Sequence, residues 1–282
     1  MSETIRSVSL YVDRFNPPYA GLISNLLAMS AELGIDVFAS EPSLEHLATF
    51  DLTEGDGQVA VVLGGDGSIL RGMDHFLGKG IPLLGINAGH LGFLASTEKE
   101  GMHHALTLLA SGDYSVDSLP LLLGEYSSGK RLRAVNDFSF NRSMMGGILH
   151  FEIFVENTGV AAVAGDGLVV STPMGSTAYA LSCGGPILAP GLPAMLVVPI
   201  CAHSLSLRPL VVPDDLSVSV RIGELRGTGP VLSADGRPSG TLRENETFRI
   251  SRDEGACSVV RFADQPGYYH KLGQKLGWGS RG

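Results

Sequence analysis

Residues 59–73 read VAVVLGGDGSILRGM. Val59 to Leu63 is a fully apolar run of strand length, the composition of a strand covered on both faces. Gly64-Gly65-Asp66-Gly67 makes a turn, and Ile69 to Leu77 follows with helical spacing, with Ser68 placed to cap that helix. Bare backbone in such a turn lets N–H groups close on phosphate oxygens, and the helix N-terminus adds positive potential. Open α/β sheets also place their ligands at the C-terminal ends of strands. A carboxylate repels anions, so Asp66 implies a task beyond phosphate binding: holding Mg²⁺, or accepting a proton from an attacking hydroxyl. The plain alternative is a Gly-rich β-turn with a solvated aspartate. The Walker pattern is absent, and GxGxxG fails because position 70 is Leu, as it fails after Gly165-Asp166-Gly167, where position 170 is Val.

The flanking sequence extends the pattern. Residues 5–11 alternate as a strand, and residues 20–34 place Leu22, Leu26, Met29 and Leu33 at helical spacing before stopping at Gly34. Ile35 to Ala39 and Pro82 to Ile86 read as strands, and about Glu98 to Ala110 as a helix. Such alternation predicts a parallel sheet with helices on both faces. GINAGHLGFLAS (85–96) is a second strand running into a glycine loop, so two adjacent strands ending this way would line one crevice. Asn87 there offers an amide that both donates and accepts, as a ligand contact or a loop cap. His90 reads as a surface loop residue before it reads as a general base.

From about Asp117 short runs of Val, Ile, Phe and Leu recur between turn signals, which predicts antiparallel strands in a sandwich or curled sheet. The ending, GYYHKLGQKLGWGSRG, returns to helical spacing and carries Lys271, Lys275 and Arg281 with no acid. The expected fold class is an α/β N-terminal domain with a Rossmann-like parallel sheet plus a β-rich, sandwich-like C-terminal domain. The expected domains are 1–116 with 265–282, and 117–264.

Composition bounds the function. The chain has 282 residues, 44% apolar and only 17% charged, which excludes a disordered chain. A net charge of −9 argues against a general nucleic-acid or membrane-surface binder. Cys183, Cys201 and Cys257 have no CxxC spacing and read as free thiols in a reducing compartment. Residues 1–14 lack a basic region followed by an apolar one. The longest apolar run, Leu192 to Ala202, is broken by two prolines and falls short of the roughly 20 residues a membrane span needs. The expected location is the cytoplasm.

GDGLVVSTPMGSTAYALSCGGPILAP (165–190) carries Asp166, Ser171, Thr172, Ser176, Thr177, Tyr179 and Ser182 on a scaffold of glycines and prolines. That density of hydroxyls suits a polar, neutral ligand edge such as a ribose or a base amide. Equally, it is a capped helix with Ser176 or Thr177 as N-cap and Tyr179 as packing. Asn136-Asp137 interrupts a strand-like run at a loss of β propensity, as a ligand grip or a plain turn. Asp235-Gly236 reads first as a tight turn.

Taken in order, GGDG, GINAGHLGFLAS, Asn136-Asp137, the 165–190 segment and the ending YYHKLGQKLGW resemble the successive motifs of the NAD kinase family. The likeness spans nearly the whole chain. GGDG alone is shared with phosphofructokinases and with diacylglycerol and sphingosine kinases, whereas the long Gly/Ser/Thr/Tyr motif is specific. The resemblance implies transfer of the ATP γ-phosphate to the adenosine-ribose 2′-hydroxyl of NAD, with Mg²⁺ or another divalent cation required. It implies Asp66 as proton acceptor with Gly67 as its ligand-contacting neighbour, and Asn136 and Asp137 on the riboses and adenine. Asp166 falls on the nicotinamide amide, and Thr177, Ala178, Tyr179, Ala180, Leu181 and Ser182 form a wall around the dinucleotide. Gly64, Gly65, Ser68, Arg71, Asn87, Ala164, Met174 and Arg237 complete the implied cofactor contacts.

The sequence departs from the family pattern at several points. Asp137 stands where many members have Glu, Met174 where Thr or Ser is usual, Ala164 where some have Arg, and Arg237 where some have Gln. Ser68 replaces a common Thr. A homodimer or homotetramer is implied. Two rival readings remain open: a GGDG-type sugar or lipid kinase, and a dinucleotide-binding regulator without turnover. A sugar-phosphate kinase needs an Arg and His cluster where residues 142–182 supply only Arg142 and His150.

Overall fold

The computed structural model describes residues 3–14, 17–89, 92–143 and 147–278. Two compact units emerge, Met1–Leu119 with Cys257–Gly282, and Pro120–Ala256.

In the first unit the chain forms β1 (Ser7–Tyr11), α1 (Pro17–Glu32), β2 (Asp36–Ala39), the short α2 (Leu44–Leu47) and β3 (Val59–Leu63). It continues through α3 (Asp66–Phe76), β4 (Leu83–Asn87), β5 (Thr97–Glu98) and α4 (Met102–Ser111). The strands are parallel in the order β2-β1-β3-β4, with β5 on the end of β4. Successive side chains of a strand point to opposite faces, and both faces here are apolar. Val8, Leu10, Val59, Val61 and Leu63 pack with Ile23 and Leu26 of α1 and Ala105, Leu106 and Leu109 of α4. Val62 turns the other way, onto α3, where a Cβ added to Gly72 would stand 2.6 Å from its methyl carbon. Helices therefore cover both faces, as the alternation of elements predicts.

One local expectation fails. α3 starts at Asp66, with Gly65 as an extended N-cap (φ −84°, ψ −177°) and no side-chain cap. Ser68 lies inside the first turn, not at the cap. Hydrophobic periodicity marks only the buried positions of a helix, and its first turn here is polar.

β6 (Ser115–Tyr126) carries the chain into the second unit, where β7 (Arg131–Ala134), β8 (Asp137–Asn141), β9 (Leu149–Val155), β10 (Thr158–Gly165) and β11 (Gly167–Ser171) follow. After the single turn α5 (Tyr179–Ser182) come β12 (Ala194–Ile200), β13 (Leu210–Pro213), β14 (Val218–Ile222), β15 (Val231–Ala234), β16 (Arg237–Thr241) and β17 (Thr247–Arg261). One antiparallel sheet has the order β13-β12-β11-β8-β15-β16, and β10, β9, β14 and the first half of β17 form another.

Their inner faces share one core. Phe138, Phe140, Leu168 and Val170 from the first sheet meet Phe151, Val220 and Phe248 from the second. Phe248 takes Phe138 and Phe140 edge-on at 5.3 and 5.8 Å, a favourable aromatic geometry. This is a sandwich. The outer face of β11 and β12 is covered as well, by Ala180 and Leu188 against Val169, Leu196 and Val198. Cover on both faces explains why β11 is buried at every residue. β17 then runs back into the first unit, where Val259 pairs with Leu83, and the chain ends in α6 (Tyr268–Leu276), stopped by Gly277 at φ +65°.

Candidate active site

β3 and β4 are neighbours in parallel register, so the loops that leave their C-terminal ends lie side by side. Gly64 sits at φ +150°, and a Cβ there would lie 2.5 Å from the Ser68 Cβ, so only glycine makes this turn. The Asp66 carboxylate does not point into bulk water. Its Oδ2 accepts from the Phe93 N–H at 2.9 Å and its Oδ1 from the Leu94 N–H at 3.1 Å. Gly92 packs so closely that any Cβ would overlap Oδ1. The second glycine loop is therefore a seat for the acid of the first.

A cation closes the seat. Lys275 of α6 places Nζ 3.5 Å from Asp66 Oδ2 and 4.4 Å above the centroid of the Phe93 ring. One helical turn earlier, buried Lys271 donates to the Ala95 carbonyl at 2.6 Å. Burial, with Arg261 nearby, pushes the Lys271 ammonium down to about 8. The tail's basic residues are visible in the sequence, but nothing local says which acid they meet.

Arg71, one turn into α3, pairs with Asp13 at 2.5 Å and reaches the Ser68 hydroxyl at 3.4 Å, which leaves it beside Gly67. Asn87 is buried, and its amide closes its own loop through the N–H and carbonyl of Gly89 at 3.2 and 3.3 Å. These bonds are those of a loop cap. His90 lies outside the described residues.

In the second unit the polar residues converge on Asn136-Asp137. The Asp235 carboxylate accepts N–H groups from Val135, Asn136 and Asp137 at 3.0, 2.7 and 3.2 Å. Asp235 and Gly236 form a two-residue turn with φ of +49° and +73°, the conformation of a tight β-hairpin. The tight-turn reading is right about the backbone and misses the side chain, which anchors a segment about a hundred residues upstream. From the other side, the Asn136 carbonyl accepts from the Thr172 N–H at 2.8 Å and the Ser171 hydroxyl at 3.1 Å. Gly175 packs on the same carbonyl, with no room for a side chain.

This clamp fixes the backbone and leaves the Asp137 carboxyl without a partner. The residue is 4% exposed; no described residue donates to its carboxyl, whose oxygens keep a narrow opening to solvent. Burial, helped by the neighbouring Asp235 charge, raises its pKa from 3.8 to about 7. Burial raises Asp235 too, opposed by the three N–H groups it holds. A buried carboxyl left unpaired carries a desolvation penalty that a ligand's donors would relieve.

The 165–190 segment divides its hydroxyls between fold and pocket. Ser176 donates to the Pro173 carbonyl at 2.6 Å and accepts from the Leu188 N–H at 2.9 Å, and Thr177 donates to the Met174 carbonyl at 3.1 Å. Neither caps a helix: Met174–Thr177 is a 3₁₀ turn, and α5 begins after Ala178 with no side-chain cap. The 3₁₀ turn directs each hydroxyl back to the carbonyl three residues earlier.

Tyr179 keeps a ring that is 39% exposed and donates its hydroxyl to Asn141 Oδ1 at 2.9 Å, while the Asn141 amide reaches Ser139 at 3.0 Å. Leu181 is half-buried and Ser182 is exposed. Met174 is buried, and the Ala180 methyl belongs to the outer apolar cluster. The Asp166 carboxylate lies 3.5 Å from the Arg142 guanidinium. Ala164 accepts from the His203 N–H at 2.8 Å through its carbonyl, and Arg237 lies close enough to lower the Asp235 pKa.

These geometries have relatives. Residues 29–114 match the ATP-NAD kinase N-terminal domain and residues 135–262 the ATP-NAD kinase C-terminal domain. The NAD kinase of Francisella tularensis subsp. mediasiatica is 32% identical, over 99% of this chain and 98% of its own. That of Cutibacterium acnes is 38% identical, over 84% of this chain and 74% of its own. Among solved structures, yeast NADH kinase complexed with NADH superposes with a TM-score of 0.88 at 23% identity, covering 99% of this chain and 89% of that one. An Archaeoglobus fulgidus NAD kinase in complex with ATP gives 0.75 at 23% identity, covering 96% and 98%. With both domain families matched in order, and a relative aligned end to end, this chain belongs to the NAD kinase family.

Proposed function

We propose that this chain transfers the γ-phosphate of ATP to the 2′-hydroxyl of the adenosine ribose of NAD, forming NADP. Membership of the family supplies the reaction class, and the seat built around Asp66 carries the residue-level reading. Phosphoryl transfer asks little covalent chemistry of a protein and much positioning and charge stabilisation. The N–H groups of the Gly64–Ser68 turn and the start of α3 hold donor phosphates. Asp66 accepts the proton of the attacking hydroxyl. An ionised carboxylate offers about four lone-pair positions; Phe93, Leu94 and Lys275 face three, and one is left for a substrate hydroxyl.

Asn136, Asp137, Asp166 and the Thr177–Ser182 segment bind the dinucleotide. The observation that supports this is the unpartnered, buried Asp137 carboxyl, which near neutrality exists in both protonation states and so can donate to or accept from a ribose hydroxyl.

No group of three His, Cys, Asp or Glu suited to a metal occurs among the described residues. The donors already around Asp66, two N–H groups and an ammonium, suit an anion and not a hard cation, which takes oxygen ligands. Mg²⁺ is therefore assigned to the substrate MgATP, carried on the phosphates. Among the described residues no helix is long and apolar enough to cross a membrane. We assign a cytoplasmic, homo-oligomeric enzyme, dimer or tetramer. Incubation with NAD and MgATP, followed by a strictly NADP-dependent dehydrogenase, should generate NADP in proportion to enzyme; an absence of NADP would refute the assignment.

A further inference from the structure

A phosphate-binding turn with a carboxylate at its centre carries an internal conflict, because each donor phosphate must approach a like charge. Lys275 answers it. Its ammonium lies 3.5 Å from Asp66 Oδ2, and Asp66 is its one ion pair among the described residues. The Phe93 ring face, 4.4 Å away, supports the ammonium from a second direction. The same Phe93 gives its N–H to Asp66, so cation and carboxylate are registered through one residue. Lys271, its ammonium fixed on the Ala95 carbonyl, also feels the Asp66 charge but makes no ion pair with it among the described residues. The Lys275 side chain is 31% exposed and Asp66 30%, so neither group is sealed from a ligand.

We propose that Lys275 is a positioning residue for phosphate-donor binding: its ammonium offsets the Asp66 charge, so that the glycine turn admits MgATP while the carboxylate stays in its seat. The proposal rests on the reading that this turn takes the donor phosphates. Lys275 acts through Asp66, so its importance should vanish when Asp66 carries no charge.

The test is MgATP binding by equilibrium dialysis on the full-length protein, comparing wild type, Lys275→Met, Lys275→Arg, Asp66→Asn and the Asp66→Asn/Lys275→Met double variant. Lys275→Met keeps most of the aliphatic stem against Phe93 and should weaken MgATP binding about five- to tenfold, the range for a half-exposed charge pair losing one member. Lys275→Arg should restore it. In the Asp66→Asn background the same Met substitution should change the dissociation constant by less than about twofold, a coupling that independent sites would not show. In steady state, Lys275→Met should raise KM for MgATP and leave KM for NAD unchanged.

Unaltered MgATP affinity in Lys275→Met would overturn the proposal. So would a loss of equal size in the Asp66→Asn background, which would give Lys275 a direct phosphate contact or a purely structural role. Wild-type protein that forms NADP but does not bind MgATP at the turn when Gly64–Gly67 is probed by amide chemical shifts would sink the underlying reading instead.

Discussion

Replacing Asp137 by Asn should make the protein more stable in alkali, at the expense of its ligand. The carboxyl is 4% exposed and its pKa stands at about 7 against an ordinary 3.8, raised first by burial and then by Asp235. A raised folded-state pKa means that the native state holds a proton the unfolded chain has released. Stability from this group is complete below pH 4 and is lost as pH rises through 7.

Integrated between pH 4.5 and 8.5, the loss is about 3 kcal/mol, since each pH unit from 4.5 up to the folded pKa near 7 carries about 1.4 kcal/mol and nothing more is lost above it. An amide cannot ionise, so the variant escapes the loss. Its own unpaired N–H groups weaken the fold by a similar amount at both pH values. The difference in melting temperature between Asp137→Asn and wild type should therefore shift by roughly 6–12 °C in favour of the variant across this range. Thermal unfolding at the two pH values, without NAD, measures it. A difference that does not move with pH would show that the carboxyl is solvated or paired, and the case for Asp137 as a waiting ligand contact would fall with it.

Asp66→Asn should lower kcat on the order of 10²- to 10⁴-fold while leaving KM for NAD near normal; near-normal turnover would remove Asp66 from the proton-acceptor role. Gly92→Ala drives a methyl into Asp66 Oδ1, so kcat should fall at least about tenfold with the far-ultraviolet circular dichroism unchanged. Asp235→Ala strands three N–H groups and should destabilise the fold by about 2–4 kcal/mol, read as a lower unfolding midpoint, and raise KM for NAD through the loosened Asn136-Asp137 segment.

Much of this molecule is legible from local patterns. The run from Val59 through the glycines into α3 announces itself because an apolar strand, a turn and a helix start are each written in consecutive residues. The sandwich is readable for the same reason, as short Val/Ile/Phe runs between turns. What is hidden depends on contacts between distant residues. Asp235 looks like turn punctuation, and its carboxylate works on Val135, Asn136 and Asp137. Lys275 belongs to a basic, helically spaced tail in which nothing local points to its partner, Asp66. Nor does the sequence say which hydroxyls of 165–190 the backbone will claim: Ser176 and Thr177 turn inward to carbonyls, whereas Tyr179 keeps an exposed face. Ser68 misleads in the opposite sense, since a good capping residue sits where extended Gly65 has already begun the helix.

The pairing of Lys275 with Asp66 also sets a clock. A ribosome adding about 5–20 residues per second makes the acid roughly 10–40 s before its cation. Throughout that interval the nascent glycine turn carries an uncompensated negative charge. The first unit is then the last to be completed although it is the first begun, because the final stretch of chain brings the counter-ion of its reaction centre.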